Sequence, residues 1–168
     1  MRQAIDRGEF VLFHQPQVSL RDGNISTVEA LIRWQHPERG LLQPDAFLRV
    51  AEETGLIQPI GEWVLRTACA QLKAWSGQGM PTMRIAVNIS ARELLHGHLV
   101  DRIRDAVTGV GLARAELSLD LEITENLQRA GEPVLQALGE LRDLGVGSCG
   151  RRSRSSSGSR VRTSSATG

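Results

Sequence analysis

The sequence predicts an α/β fold in which a parallel sheet covered by helices follows an antiparallel hairpin. Three observations carry this. Two β-like runs near the start are joined by only the four residues "RDGN", too short a joint for anything but an antiparallel return. Beyond residue 83 the apolar period alternates between two and 3.6 with short joints, as it does when parallel strands alternate with covering helices. Each strand-like run also alternates apolar and polar residues, so one of its faces can be buried while the other stays polar.

In order along the chain, "FVLFHQPQVSL" (10–20) and "ISTVEALIRW" (25–34) form the hairpin, closed by an Asp-Gly turn. The period then changes. Pro44 suits a first helical position, and "PDAFLRVAEETG" (44–55) reads as a helix closed by Gly55. A longer helix covers 57–75, with Ile60, Val64, Leu65, Ala68, Leu72 and Trp75 along one face. After the turn "SGQGMP" come a strand at 83–90, a helix at 98–111, a strand at 115–124, and a helix at 132–145 with Val134, Leu135, Leu138 and Leu141 on its apolar face. There is no internal repeat.

The 168 residues suffice for one domain with a real core, and 40% hydrophobic with 23% charged content is ordinary for a globular chain. Apolar runs are interrupted long before the roughly 20 residues of a membrane span, and "MRQAIDRGEF" lacks the apolar core of a signal peptide. The expected location is cytoplasmic. Cys69, in "LRTACAQL", suits a buried thiol, and Cys149 lies far from it, so neither a disulfide framework nor a metal-type cysteine spacing is indicated. The net charge of +1 hides an asymmetry: residues 1–147 hold 15 Lys plus Arg against 19 Asp plus Glu, while 148–168 add five Arg and no acid.

The polar faces of the strands carry the chemistry. Glu29, Asn88 and Glu122 each place a ligand-type oxygen on the face that does not meet the helices, near the C-terminal ends of their strands. Active sites are built at that end of the strands in a barrel of strands and helices. Two carboxylates and an amide oxygen form a hard donor set suited to Mg²⁺ or Mn²⁺, and Arg33, one step further along, could hold a phosphate bidentately. The combination describes metal-assisted attack on a phosphodiester. From spacing alone a second reading stands beside it: Glu29 and Glu122 as solvated strand-end carboxylates, Glu125 as a helix-entry carboxylate, and Asn88 as a cap for the next helix. His14 and His36 lack a nearby second ligand, His96 and His98 suit a surface turn, and Trp34, Trp63 and Trp75 suit core or rim packing.

The residues also resemble a known family. The Glu-Ala-Leu at 29–31, together with "FHQPQVSLRDGNI", "VEALIRWQHPERGLLQPDAFLRVAEETGLI", "GEWVL", "AVNISAREL" and "LEITE", is similar in order and spacing to the EAL domain, the bacterial cyclic di-GMP phosphodiesterase, over about residues 10–147. The resemblance implies a TIM-type (β/α) barrel whose first strand is antiparallel, and hydrolysis of cyclic di-GMP to pGpG with Mg²⁺ or Mn²⁺. It implies Glu29, Asn88 and Glu122 as metal ligands and Glu125 as the carboxylate that steadies a neighbouring loop. Gln15, Leu31 and Arg33 would contact the dinucleotide.

After "LRDLGVG" the family continues with Asp-Asp-Phe-Gly-Thr-Gly, which supplies further metal ligands, and later with a catalytic lysine. Here the text is "SCGRRSRSSSGSRVRTSSATG", eight Ser and five Arg in 21 residues. Domain organisation then reads as a truncated EAL domain over 1–147 and a disordered, Arg/Ser-rich tail over 148–168. The abrupt switch is what a shifted reading frame would produce. An incomplete barrel has open edges that suit dimerisation or aggregation. The expected function is that of a cyclic di-GMP phosphodiesterase domain, inactive in this chain. The alternatives are a non-catalytic module that binds cyclic di-GMP or a protein, and a product that does not fold stably. The arginine-rich tail indicates no specific nucleic-acid partner.

Overall fold

The computed structural model describes residues 1–19, 23–78, 83–89, 93, 98–113, 116–123 and 132–150. In chain order the elements are α1 (Arg2–Asp6), β1 (Phe10–Val18), β2 (Ile25–His36), β3 (Gly40–Leu42), a 3-10 turn (Pro44–Ala46), α2 (Leu48–Glu53), α3 (Ile57–Gly77) and β4 (Arg84–Ile89). Then follow α4 (Leu99–Gly109), β5 (Leu119–Ile123), α5 (Glu132–Asp143) and β6 (Gly147–Gly150).

All six strands belong to one sheet, ordered β1-β2-β4-β5-β6 with β3 paired to β2. β1 and β2 are antiparallel, as the short joint requires, and β2, β4, β5 and β6 run parallel. Between the parallel strands the chain crosses over through α3, α4 and α5, whose apolar stripes cover one face of the sheet. The stripe of α3 is Ile60, Val64, Leu65, Ala68, Cys69 and Leu72, all buried. It meets Ile85, Val87 and Ile89 of β4, while Leu119, Leu121 and Ile123 of β5 are likewise closed from solvent. Each such aliphatic side chain contributes about 1.5–3 kcal/mol by leaving water. Burial also raises the Cys69 thiol to about 11, so it stays protonated and serves as packing.

Three elements differ from the expectations. The helix expected over 44–55 is a 3-10 turn followed by α2, because Phe47 leaves helical geometry at φ −140°. That departure lets its ring reach the core, 5.6 Å from Phe10 and 5.8 Å from Trp34. On α5, Val134 and Leu141 are buried but Leu135 is 65% exposed. One residue after Val134 lies about 100° round the helix, off the covered stripe. β2 continues beyond the expected end at 34 to His36, where Trp34–His36 pairs with β3 across a tight turn.

Residues 124–131, which include Glu125, and residues 151–168, which make up most of the expected tail, lie outside the described residues. β6 crosses the expected boundary at 147/148. No helix among the described residues is long and apolar enough to cross a membrane.

One buried ion pair ties the helical layer together behind β4. Glu93 and Arg102 of α4 lie 3.7 Å apart, both largely shielded from water. A Cβ on Gly61 of α3 would stand 2.5 Å from the Glu93 carboxylate. The glycine is the notch that admits the acid.

Candidate functional site

On the sheet face opposite the helices, polar side chains alternate with the buried ones. β4 places Asn88 between buried Val87 and Ile89, and β5 places Glu122 between buried Leu121 and Ile123. Both stand one residue from the strand's C-terminal end, where β-strands of an α/β fold present catalytic groups. β2 is longer, but only Thr27–Ala30 pairs with β4, so Glu29 stands at the C-terminal end of the parallel part. The remainder of β2 belongs to the antiparallel ribbon with β1 and β3.

The register gathers these residues. Asn88 is the partner of Glu122 across the β4–β5 ladder. The Asn88 side-chain nitrogen donates to Glu29 Oε1 at 2.9 Å. Two carboxylates on non-adjacent strands are thus joined through the amide between them. With its nitrogen engaged by Glu29, the amide has its oxygen left for a cation. Oxygen donors alone, two of them anionic, fit a hard divalent ion. Among the described residues no three His, Cys, Asp or Glu side chains come together as a metal site.

β1 lines the same face. Its register sets Gln15 opposite Glu29, Phe13 opposite Leu31 and Val11 opposite Arg33. Arg33 donates to the Ile32 carbonyl at 2.7 Å, and its guanidinium carbon lies 5.8 Å from the centre of the Phe13 ring. Gln17, further along β1, donates to Glu122 Oε1 at 3.4 Å. Two strands lie between Gln17 and Glu122, a separation of about 14 Å in a flat sheet at roughly 4.8 Å per step. The contact therefore requires the sheet to curl toward its polar face, as a barrel wall does. A register shift between Gln17 and Val18 locally bends β1 there.

Deeper on this face, at the N-terminal ends of the strands, Arg84 and Asp120 form an ion pair at 3.0 Å. The neighbouring position on β6 is Gly147, where any Cβ would collide with the Asp120 carboxylate. Polar groups therefore line the face below the candidate site as well. His14 points the other way, with its ring edge toward Trp75 at 5.5 Å between centroids. Burial lowers its pKa, which keeps the ring neutral and apart from the site.

The structure thus brings Glu29, Asn88 and Glu122 onto one face, with Gln15, Leu31 and Arg33 beside them. Two residues that line it were absent from the sequence reading, Phe13 and Gln17. Both follow from Gln15 by the strand period of two, a signal available once Gln15 is assigned to this face.

Comparison with known proteins gives the family. Residues 1–149 match the family described as EAL domain. The chain is 44% identical over 148 residues to the bifunctional diguanylate cyclase/cyclic di-GMP phosphodiesterase MucR of Pseudomonas aeruginosa, covering 88% of this chain and 21% of that protein. It is 41% identical over 147 residues to the cyclic di-GMP phosphodiesterase NbdA of the same organism, covering 87% of this chain and 18% of that one. The chain therefore spans about a fifth of the length of these curated relatives. Among solved structures, the PaMucR phosphodiesterase in its c-di-GMP complex superposes with a TM-score of 0.81 at 44% identity, over 88% of this chain and 59% of that one. The curled, partial sheet is thus part of the TIM-barrel-like fold of such domains. The match, reaching from residue 1 to residue 149, is wider than the blocks at 10–147 that first suggested it, and by it the chain belongs to the EAL domain family.

Proposed function

We propose that this chain carries the N-terminal part of a cyclic di-GMP phosphodiesterase site, binds the dinucleotide with Mg²⁺ or Mn²⁺, and does not hydrolyse it. The observation that carries this reading is the 2.9 Å bond from Asn88 to Glu29, with Asn88 in register beside Glu122. Glu29, Asn88 and Glu122 would hold the metal, which when bound supplies Lewis-acid polarisation of a phosphoryl oxygen and a more acidic water. Asn88 fixes the rotamer of Glu29, and Gln17 does the same for Glu122. Gln15 and Leu31 line the adjoining surface for the dinucleotide, and Arg33 offers it a planar set of donors for a phosphate. Glu125 belongs to this reading as the carboxylate steadying the neighbouring loop.

Loss of turnover is inferred from the sequence after Gly147. No Asp-Asp-Phe-Gly-Thr-Gly occurs in the chain, and 148–168 contain neither an acid nor a lysine. Without a second carboxylate set the attacking water is neither placed nor deprotonated, while binding groups on β1 and β2 are kept. A shifted reading frame from about residue 148 accounts for this combination. The outer edges of β1 and β6, unpaired among the described residues, support self-association, and a sedimentation profile of pure monomer at high concentration would count against it.

The metal centre is tested with Mn²⁺ alone, read by electron paramagnetic resonance. The wild-type chain should bind, and E29Q and N88A should each bind at least about tenfold more weakly, as expected when a ligand or its orienting partner is removed. Equal affinity in all three would remove the metal centre from the account.

A further inference from the structure

We propose that Glu93 is a positioning residue for Asn88: seated in the Gly61 notch and paired with Arg102, it locks the segment leaving β4 and so holds the Asn88 amide against Glu29. Its consequence for metal affinity rests on the metal reading above; its consequence for the Asn88 side chain does not. Among the described residues Glu93 is the only charged one that is buried, at 7% exposure. It follows Ile89, the last residue of β4, by four positions, a span of at most about 14 Å. Asn88 stands immediately before Ile89 and bonds to Glu29 on the polar face, while Ile89 is buried under the helices. An anchor at Glu93 therefore acts on the end of the strand that carries the amide.

Two helices meet at that anchor. Arg102, in the first turn of α4, lies 3.7 Å from Glu93 Oε1 and also donates to the Gln58 carbonyl, in the first turn of α3, at 3.4 Å. Gly61 follows Gln58 on α3 and leaves the space that the carboxylate fills. Both helices are crossovers between parallel strands, so their first turns lie at the C-terminal ends of the strands, the end that carries the candidate site. The anchor thus sits at the mouth, behind Asn88. A buried ion pair is a weak source of net stability, because desolvation of both groups offsets their attraction, and its best-supported use is to fix one arrangement. Glycine inside a helix is itself unfavourable. Both features occur together here, next to the strand end whose amide keeps a 2.9 Å bond to Glu29.

The test compares the full chain as wild type, E93Q, R102Q, N88A and the double variant E93Q/N88A, at a temperature where melts show each to be folded. Glu93→Gln keeps the shape and removes the charge, and Arg102→Gln breaks the pair from its other side should E93Q fail to fold. Two readouts are taken: the Asn88 side-chain amide resonances without metal, and Mn²⁺ affinity by electron paramagnetic resonance. In wild type the Asn88 amide protons, held by Glu29, should resonate apart from solvated amides, and in E93Q and R102Q they should move toward them. Mn²⁺ should bind about tenfold more weakly to E93Q and R102Q. E93Q/N88A should bind it no more weakly than N88A alone, since both changes act through one group. A lowered melting temperature in E93Q with wild-type Asn88 resonances and wild-type Mn²⁺ affinity would make Glu93 merely structural and overturn the proposal. Losses that add in the double variant overturn it too. No Mn²⁺ binding by wild type, together with shifted Asn88 resonances in E93Q, would sustain the positioning role and remove the metal reading.

Discussion

Glu93 is buried because the residue facing it on α3 has no side chain. Gly61→Ala would drive a methyl to 2.5 Å from the Glu93 carboxylate in a packed layer that also holds Arg102. The substitution should cost about 1–3 kcal/mol, read from urea denaturation, because the acid must shift off its partner. A wild-type midpoint would mean that the notch can open freely. Single residues were legible in the sequence where a periodicity named their face. Glu29, Asn88 and Glu122 were placed by strand alternation, and the structure sets them on one face. The bond from Asn88 to Glu29 was not legible, since strand alternation fixes a side without fixing which neighbour a rotamer meets. Gln17 escaped for a related reason: its approach to Glu122 depends on the curl of the sheet and the irregularity at Gln17/Val18.

At the scale of elements, helix α5 separates pattern from packing. Val134 and Leu141 are buried while Leu135 is exposed, although all three were read as one apolar face. Leu141→Ala should cost about 2–5 kcal/mol and Leu135→Ala less than about 0.5 kcal/mol, as thermal melts would show. Comparable losses would place Leu135 in a packed contact. The junction between α3 and the segment entering β5 gives a pH test. Glu116 accepts bonds from Lys73, Ser76 and the Ala113 amide, which hold its carboxyl down at about 2 against an ordinary 4.5. A depressed acid stabilises the fold fully above its unfolded value, and that contribution fades as pH falls from near 4.5 toward 2. The E116Q chain should lose less stability than wild type over that window, and identical acid limbs would contradict the assignment. Elements with a long period were legible, such as α3 and the hairpin. β3 and α1 were not, because three strand residues and five helical ones carry too little pattern and form through contacts made elsewhere.

Over the described residues, the sheet is a stretch of barrel wall from β1 to β6, with an antiparallel ribbon at one side and parallel strands at the other. The directions of the strands were legible from joint lengths, since short joints force antiparallel return and helical crossovers favour parallel pairing. Curvature was not, because it arises from twist and from side-chain contacts across the polar face rather than from any one strand. On the proposed function, the groups on β1, β2, β4 and β5 bind cyclic di-GMP and do not cleave it. Incubating the full chain with cyclic di-GMP and Mg²⁺, then separating bound ligand and products by chromatography, tests it most directly. Cyclic di-GMP should be recovered intact with the protein and without pGpG; appearance of pGpG would overturn the loss of turnover, and cyclic di-GMP recovered entirely free would overturn the binding site.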